Sequence, residues 1–284
     1  MIPAKFDYLA PTSVEEALAA LGEHGDDAKI LAGGQSLLPV LRMRLNAPEV
    51  IIDLSGIDTL RGISDDGDTI TIGAMTTYYD ILADAGVKNS LGLLHKAITE
   101  VADPQIRHRG TLGGALVHAD PAGDCGAPTL ALDAELVIQG SGGERTVAAA
   151  DFFEDLFSTA VGEDELLTAI RFKKYDGWGS HYEKFVRVAH QWPIVSVAAA
   201  VKVDGGTISE ARIGLVNMGS TALRASATEA ALVGAEVTED GVRAACDQAA
   251  EGTNPPSDLN GDSDYRKHLA TVLTRRAVLA AAGG

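Results

Sequence analysis

The spacing of apolar and polar positions changes several times along the chain, and each change predicts an element. Residues 4–9 read as a short strand. Ser13 with Glu16 forms a Ser-x-x-Glu helix start, and Val14, Ala17, Leu18 and Leu21 then share one helical face until Gly25. Residues 28–31 form a short apolar run that fits a buried strand and stops at Gly33-Gly34. Residues 37–45 fit either a short helix broken by Pro39 or an irregular segment. Strands are predicted at 50–54 and 69–73, helices at 76–83 and 91–101. Residues 135–139 and 145–147 flank Gly140-Ser141-Gly142-Gly143 as a hairpin, and 166–172 adds another strand.

The turn-rich stretch Lys174-Tyr175-Asp176-Gly177-Trp178-Gly179 marks a boundary. Beyond it three strands are predicted at 181–188, 195–203 and 207–216, the last two joined by Asp204-Gly205-Gly206. Helices follow at 222–233, 239–251 and 265–282. Strands and then helices is an α+β grammar, and the first region lacks the strict alternation of a doubly wound parallel sheet. Two domains are expected, 1–176 and 177–284.

The length of 284 residues agrees with this division. Hydrophobic residues at 46% and charged residues at 22% describe a chain with a sizeable core and exclude intrinsic disorder. Lys and Arg number 23 against 40 Asp and Glu, a net charge of −17, which argues against a nucleic-acid or anionic-membrane surface. Two cysteines, Cys125 and Cys246, form no disulfide framework and cannot supply the thiolates of an iron–sulfur cluster. Both read as buried, inert thiols. No Cys-x-x-Cys or His-Glu-x-x-His spacing suggests zinc. The opening residues hold no apolar signal core, and runs such as 195–201 fall far short of the ~20 residues of a membrane span. A cytoplasmic protein is expected.

No Gly-x-Gly-x-x-Gly follows a strand, and neither a P-loop nor a Gly-x-Ser-x-Gly elbow is present. Two other glycine loops stand out: Leu31-Ala32-Gly33-Gly34-Gln35-Ser36, directly after a predicted strand, and Arg109-Gly110-Thr111-Leu112-Gly113-Gly114-Ala115. Paired glycines let backbone approach a ligand closely, and successive free amides form a concave anion site. Two such loops suit one diphosphate gripped from both sides by amides rather than by Lys or Arg, although each alone reads equally as a Gly-rich turn. Asp-Pro steps at Asp103-Pro104 and Asp120-Pro121 fix the path on either side of the second loop. Asp124 is placed to accept from a ligand hydroxyl; alternatively, Asp120 and Asp124 cap a helix starting near Cys125. Trp192, in His190-Gln191-Trp192-Pro193, reads as a core or interface residue. Arg266-Lys267-His268 and Arg275-Arg276 read as a solvated face of the last helix near its negative end.

Together AGGQSLLPVLRMRL (32–45), DPQIRHRGTLGG (103–114) and HADPAGD (118–124) resemble the flavin-binding medium subunits of the molybdenum hydroxylases, a family that includes xanthine dehydrogenase. Within it the sequence looks most like the aerobic carbon monoxide dehydrogenases, from the opening MIP-x-x-FDY to Leu-x-Arg-Arg-Ala at 273–277. The resemblance implies an FAD-binding domain of the vanillyl-alcohol-oxidase (PCMH) type over 1–176. A smaller α+β domain of the carbon monoxide dehydrogenase flavoprotein type, a three-stranded sheet with helices, would follow over 177–284. Carried over residue by residue, Ala32, Gly33, Gly34, Gln35 and Ser36 match the first diphosphate loop, and Thr111, Leu112, Gly113, Gly114 and Ala115 the second. Asp124 matches an acidic residue near the ribityl or ribose hydroxyls, Leu166 an apolar flavin contact, and Lys184 a basic residue close to the flavin. Gln35 replaces a His of the carbon monoxide enzymes, and Ala115 an Asn of many relatives. Segment 190–193 matches a loop beside the isoalloxazine, where Trp192 would stack on the flavin as the alternative to a core or interface place.

The implied role is electron transfer. FAD on this chain would take electrons from the 2Fe–2S clusters of a small subunit and give them to an external acceptor such as a quinone. A large subunit with molybdenum cofactor would oxidise the substrate, carbon monoxide first, or a purine, aldehyde or N-heterocycle. The implied assembly is a dimer of heterotrimers, cytoplasmic or at the inner face of the membrane. No residue of this chain is expected to act as acid or base on substrate, and no metal is expected on it. A stand-alone flavin oxidoreductase is the contrasting reading.

Overall fold

The computed structural model describes residues 2–283. The first strands, Asp7–Leu9, Ala28–Leu31 and Val50–Asp53, form a small parallel sheet with Val50–Asp53, buried along its whole length, in the middle. The Val14–His24 helix connects the first two strands. Ser13 caps it, accepting from Glu16 N at 3.1 Å. The Glu16 carboxylate turns back one residue further than a capping box requires and takes Thr12 N at 2.7 Å. The Leu37–Met43 helix connects the second and third strands. Pro39 does not break it, because it lies in the first turn, where amides lack intrahelical partners. Parallel strands are thus present on a small scale that the absence of alternation in the sequence did not reveal.

A five-stranded antiparallel sheet follows, in the order Ile63–Asp65, Thr69–Gly73, Glu165–Lys173, Glu135–Gly140, Gly143–Ala148. Short helices between residues 78 and 131 cover it, and their apolar sides, such as Leu93, Leu94, Ala97 and Ile98, meet Ile70, Ile72 and Ile170 in one core.

The third sheet orders Gly179–Phe185, Val195–Asp204, Thr207–Val216 and the two-residue Leu223–Arg224, so it has four strands where three were expected. Its first strand ends at Phe185, not 188, and residues 186–194 form an irregular segment. Val195–Asp204 explains how the halves join. Alternate residues point to opposite faces of a strand. Ala198 and Ala200 enter the core of the first half, while Val195, Val197, Ala199 and Val201 pack beneath the Ser263–Gly283 helix. The sheet is therefore buried on both sides.

Arg266 lies in the first turn of that final helix and is fully buried, not solvated. It donates to the Ile194 carbonyl and, at 2.8 Å, to Asp258. Arg275 follows on the same helix and meets Glu239 at 2.8 Å. Among the described residues no helix is long and apolar enough to cross a membrane, and no cluster of His, Cys, Asp or Glu could hold a metal.

Candidate functional site

The first glycine loop leaves the C-terminal end of the Ala28–Leu31 strand, the end of a parallel strand at which α/β sheets receive ligands. Gly34 takes φ +76°, a left-handed turn that an L side chain resists. Among the described residues, the amides of Gly33, Gly34, Gln35 and Ser36 donate to no other group of the chain. Four consecutive free N–H groups on a partly exposed loop are what an anion nest requires.

The second glycine segment is not a loop throughout. Thr111 caps a helix, Leu112–His118, with its Oγ1 accepting from Gly114 N at 3.2 Å. Leu112 N donates to Thr76 O at 3.2 Å and Gly113 N to Ala74 O at 2.9 Å. Ala74 N in turn donates to Thr168 O at 2.9 Å, where the Glu165–Lys173 strand bulges. The bulge thus seats the start of the helix. With the amides of Leu112, Gly113, Gly114 and Ala115 bonded within the chain, that of Thr111 is, among the described residues, the one left free in the second segment. Among the described residues, most free amides of the two segments thus lie on the first loop.

The two segments touch. A Cβ on Gly33 would collide with the Arg109 carbonyl, and one on Gly114 would stand 3.0 Å from the Ala32 Cβ. Ala32 also packs on the cluster that contains Leu166, which is buried among residues such as Leu54 and Met75. Leu166 therefore sits beneath the first loop as part of the core. Gln35, Ser36 and Ala115 are partly exposed beside these contacts.

A polar cluster lies further along the chain. Asp124 Oδ2 meets Lys184 Nζ at 2.8 Å, and Asp124 Oδ1 accepts from Tyr182 Oη at 2.6 Å. Lys184 also donates to the Glu100 carbonyl at 2.9 Å. Both charged side chains are less than a tenth exposed. Burial raises the Asp124 pKa, opposed by Lys184 and the Tyr182 hydroxyl. Asp124 does not cap the Gly126–Ala131 helix, which has no side-chain cap, and Asp120 instead accepts from Ala122 N at 2.9 Å within its own turn. Cys125 lies against Tyr78 Oη at 3.6 Å, and burial pushes its thiol up to about 12, as it does that of Cys246. Both are inert at neutral pH.

The family model described as the FAD binding domain in molybdopterin dehydrogenase matches residues 4–172, and that described as the CO dehydrogenase flavoprotein C-terminal domain matches 180–281. The chain belongs to this flavoprotein family. It is 42% identical to the carbon monoxide dehydrogenase medium chain of Hydrogenophaga pseudoflava over 282 residues, 99% of this chain and 98% of the relative. It is 36% identical to the glyceraldehyde dehydrogenase medium chain of Sulfolobus acidocaldarius, covering 98% of both. Among solved structures, a Hydrogenophaga pseudoflava carbon monoxide dehydrogenase lacking the Mo-pyranopterin moiety of its molybdenum cofactor has a chain that superposes with TM-score 0.96 at 44% identity. The match covers 99% of this chain and 98% of that one.

The cofactor of this flavoprotein is FAD, the protein is an oxidoreductase subunit, and its relatives are medium subunits of larger complexes. The residues fit the cofactor: the free amides of Gly33 to Ser36 suit a diphosphate, and no Lys or Arg is needed among them. Trp192 is 66% exposed, so it is not a core residue. His118 stacks on Phe157 with ring centroids 5.1 Å apart. The sequence reading missed Tyr182, the phenol that orders Asp124. Its signal was present, since Tyr182 and Lys184 are two apart on a strand and so share a face. Arg266 and Asn217 gave no such signal.

Proposed function

We propose that the chain binds FAD between the Ala32–Ser36 loop and the Thr111–Ala115 segment. There it would relay electrons from the 2Fe–2S clusters of a small subunit to an external acceptor such as a quinone, in the cytoplasm. A large molybdenum subunit would oxidise carbon monoxide to carbon dioxide with water as the oxygen donor. The observation that carries the reading is the run of four unpaired amides closed against the Thr111 helix. The relationship to carbon monoxide dehydrogenase medium chains supports the substrate. FAD, when bound, supplies the exchange of electrons singly or in pairs. The chain binds and orients it. Asp124 and Lys184 would lie toward the ribityl and ring end, Asp124 keeping lone pairs for a hydroxyl beyond those used by Tyr182 and Lys184. The division into 1–176 and 177–284 and a dimer of heterotrimers belong to the same proposal.

Gln35 and the glyceraldehyde dehydrogenase relative favour a second reading, the FAD subunit of an aldehyde or other hydroxylase. The first test is denaturing release of the flavin followed by chromatography. FAD is expected, because paired phosphates match a run of amides. FMN as the main flavin would refute the diphosphate site. Copurification, with iron and molybdenum assays and substrate trials on the complex, then separates carbon monoxide from aldehydes.

A further inference from the structure

One residue joins segments from the two halves of the molecule through its backbone and its side chain. Asn217 follows the Thr207–Val216 strand with φ +62°, a left-handed conformation that asparagine tolerates. Its backbone N–H donates to Pro121 O at 2.8 Å, in the turn that leads to Asp124. Its Nδ2 donates to Pro193 O at 2.9 Å and to Ile194 O at 3.3 Å. All three contacts lie outside its own strand. Pro193 and Ile194 end the irregular segment 186–194, which carries exposed Val188 and Trp192 and His190 at φ +70°. Inside that segment the one backbone bond is Gln191 N to Val188 O at 3.3 Å, so the segment does not hold itself in place. Its base is held by Ile194 N to Phe185 O at 2.8 Å and by buried Arg266 on the Ile194 carbonyl. Lys184, the residue before Phe185, meets Asp124, three residues after Pro121. Asn217 thus ties the base of the segment to the turn that leads to Asp124.

We propose that Asn217 is a positioning residue for the flavin, fixing how closely segment 186–194, with Trp192, covers the FAD ring system. The proposal rests on the FAD reading above. A residue that only ended its strand would need neither of the Nδ2 bonds. A hinge for the segment needs its donors on the last two carbonyls, where they are.

Two variants of the full chain separate the alternatives. Asn217→Gly keeps the left-handed backbone and the N–H to Pro121 while removing both Nδ2 bonds. Asn217→Asp keeps the size and turns a carboxylate toward the two carbonyls. FAD release after dilution should be about three- to tenfold faster for Asn217→Gly, the loss of one modest hydrogen-bonding interaction, and faster again for Asn217→Asp. Hydrogen exchange at Gln191 and Ile194 should speed up, flavin fluorescence should change as Trp192 moves, and far-ultraviolet circular dichroism should stay at wild type. Should Asn217→Asp fail to fold, Asn217→Gly carries the test. Wild-type release and unchanged flavin spectra in Asn217→Gly, even with a lowered Tm, would reduce Asn217 to a strand end and overturn the proposal. A wild-type chain that binds no FAD would instead sink the cofactor reading.

Discussion

A Cβ at Gly114 would stand 2.7 Å from Thr111 Oγ1 and 3.0 Å from Ala32 Cβ. A branched side chain there must push the Leu112–His118 helix from the first loop, an overpacking cost of about 1–3 kcal/mol. Gly114→Val is therefore expected to lose its FAD while its circular dichroism stays near wild type; normal flavin content would contradict this. Crowding is the cause rather than backbone hand, because of the glycines in the two loops only Gly34 has positive φ. At this scale the sequence was legible where a residue type announces its use. Paired glycines pointed to both loops, and two cysteines without partners pointed to inert thiols. It was silent where partners lie far apart in the chain. Asp124 and Lys184 are separated by 60 positions, so their ion pair is a product of the fold. Arg266 read as solvated because arginine is rarely buried, and its acceptors, Ile194 and Asp258, belong to segments with no periodic pattern.

Among elements, length decided what could be read. The Thr207–Val216 strand and the Ser263–Gly283 helix span enough residues for their periods to show. The helices Ala85–Ser90, Pro104–Arg107 and Leu112–His118 make two turns or fewer, and packing rather than pattern holds them. That is why the second glycine segment read as a loop. The Gly179–Phe185 strand has a more testable role, since it presents Tyr182 and Lys184 to Asp124. In Lys184→Met the carboxylate loses the cation that lowers its pKa, while burial still raises it. A carboxyl whose folded pKa lies above its unfolded value contributes stability that is present at low pH and lost as pH rises through the folded pKa. The deficit of the variant should therefore be small near pH ~4 and grow toward pH ~8, reaching about 3–5 kcal/mol, as for a buried pair that has lost one partner. Thermal unfolding of both proteins across that range checks this, and equal deficits at both ends would show that Asp124 does not depend on Lys184.

For the whole molecule, the inventory of groups limits what the chain does alone. Two buried thiols cannot supply the cysteine thiolates of an iron–sulfur cluster. Mixed anaerobically with carbon monoxide, the purified flavoprotein should keep its oxidised absorption spectrum. Bleaching would mean that it carries substrate chemistry of its own and would end the relay reading. The Val195–Asp204 strand, apolar on both faces, has a consequence for how the protein melts. Removing the first half would uncover Ala198 and Ala200, while Val197 and Val201 stay covered by the Ser263–Gly283 helix of their own half. The C-terminal half alone would expose that apolar face of its sheet, so the two halves are expected to unfold together. Calorimetry of the full chain should give one endotherm with matching calorimetric and van't Hoff enthalpies, and two resolved peaks would contradict this. Chimeras that splice a relative's C-terminal half after residue 176 should melt earlier than either parent, because a methyl gained or lost at Ala198 or Ala200 changes the fit of that strand against the first half.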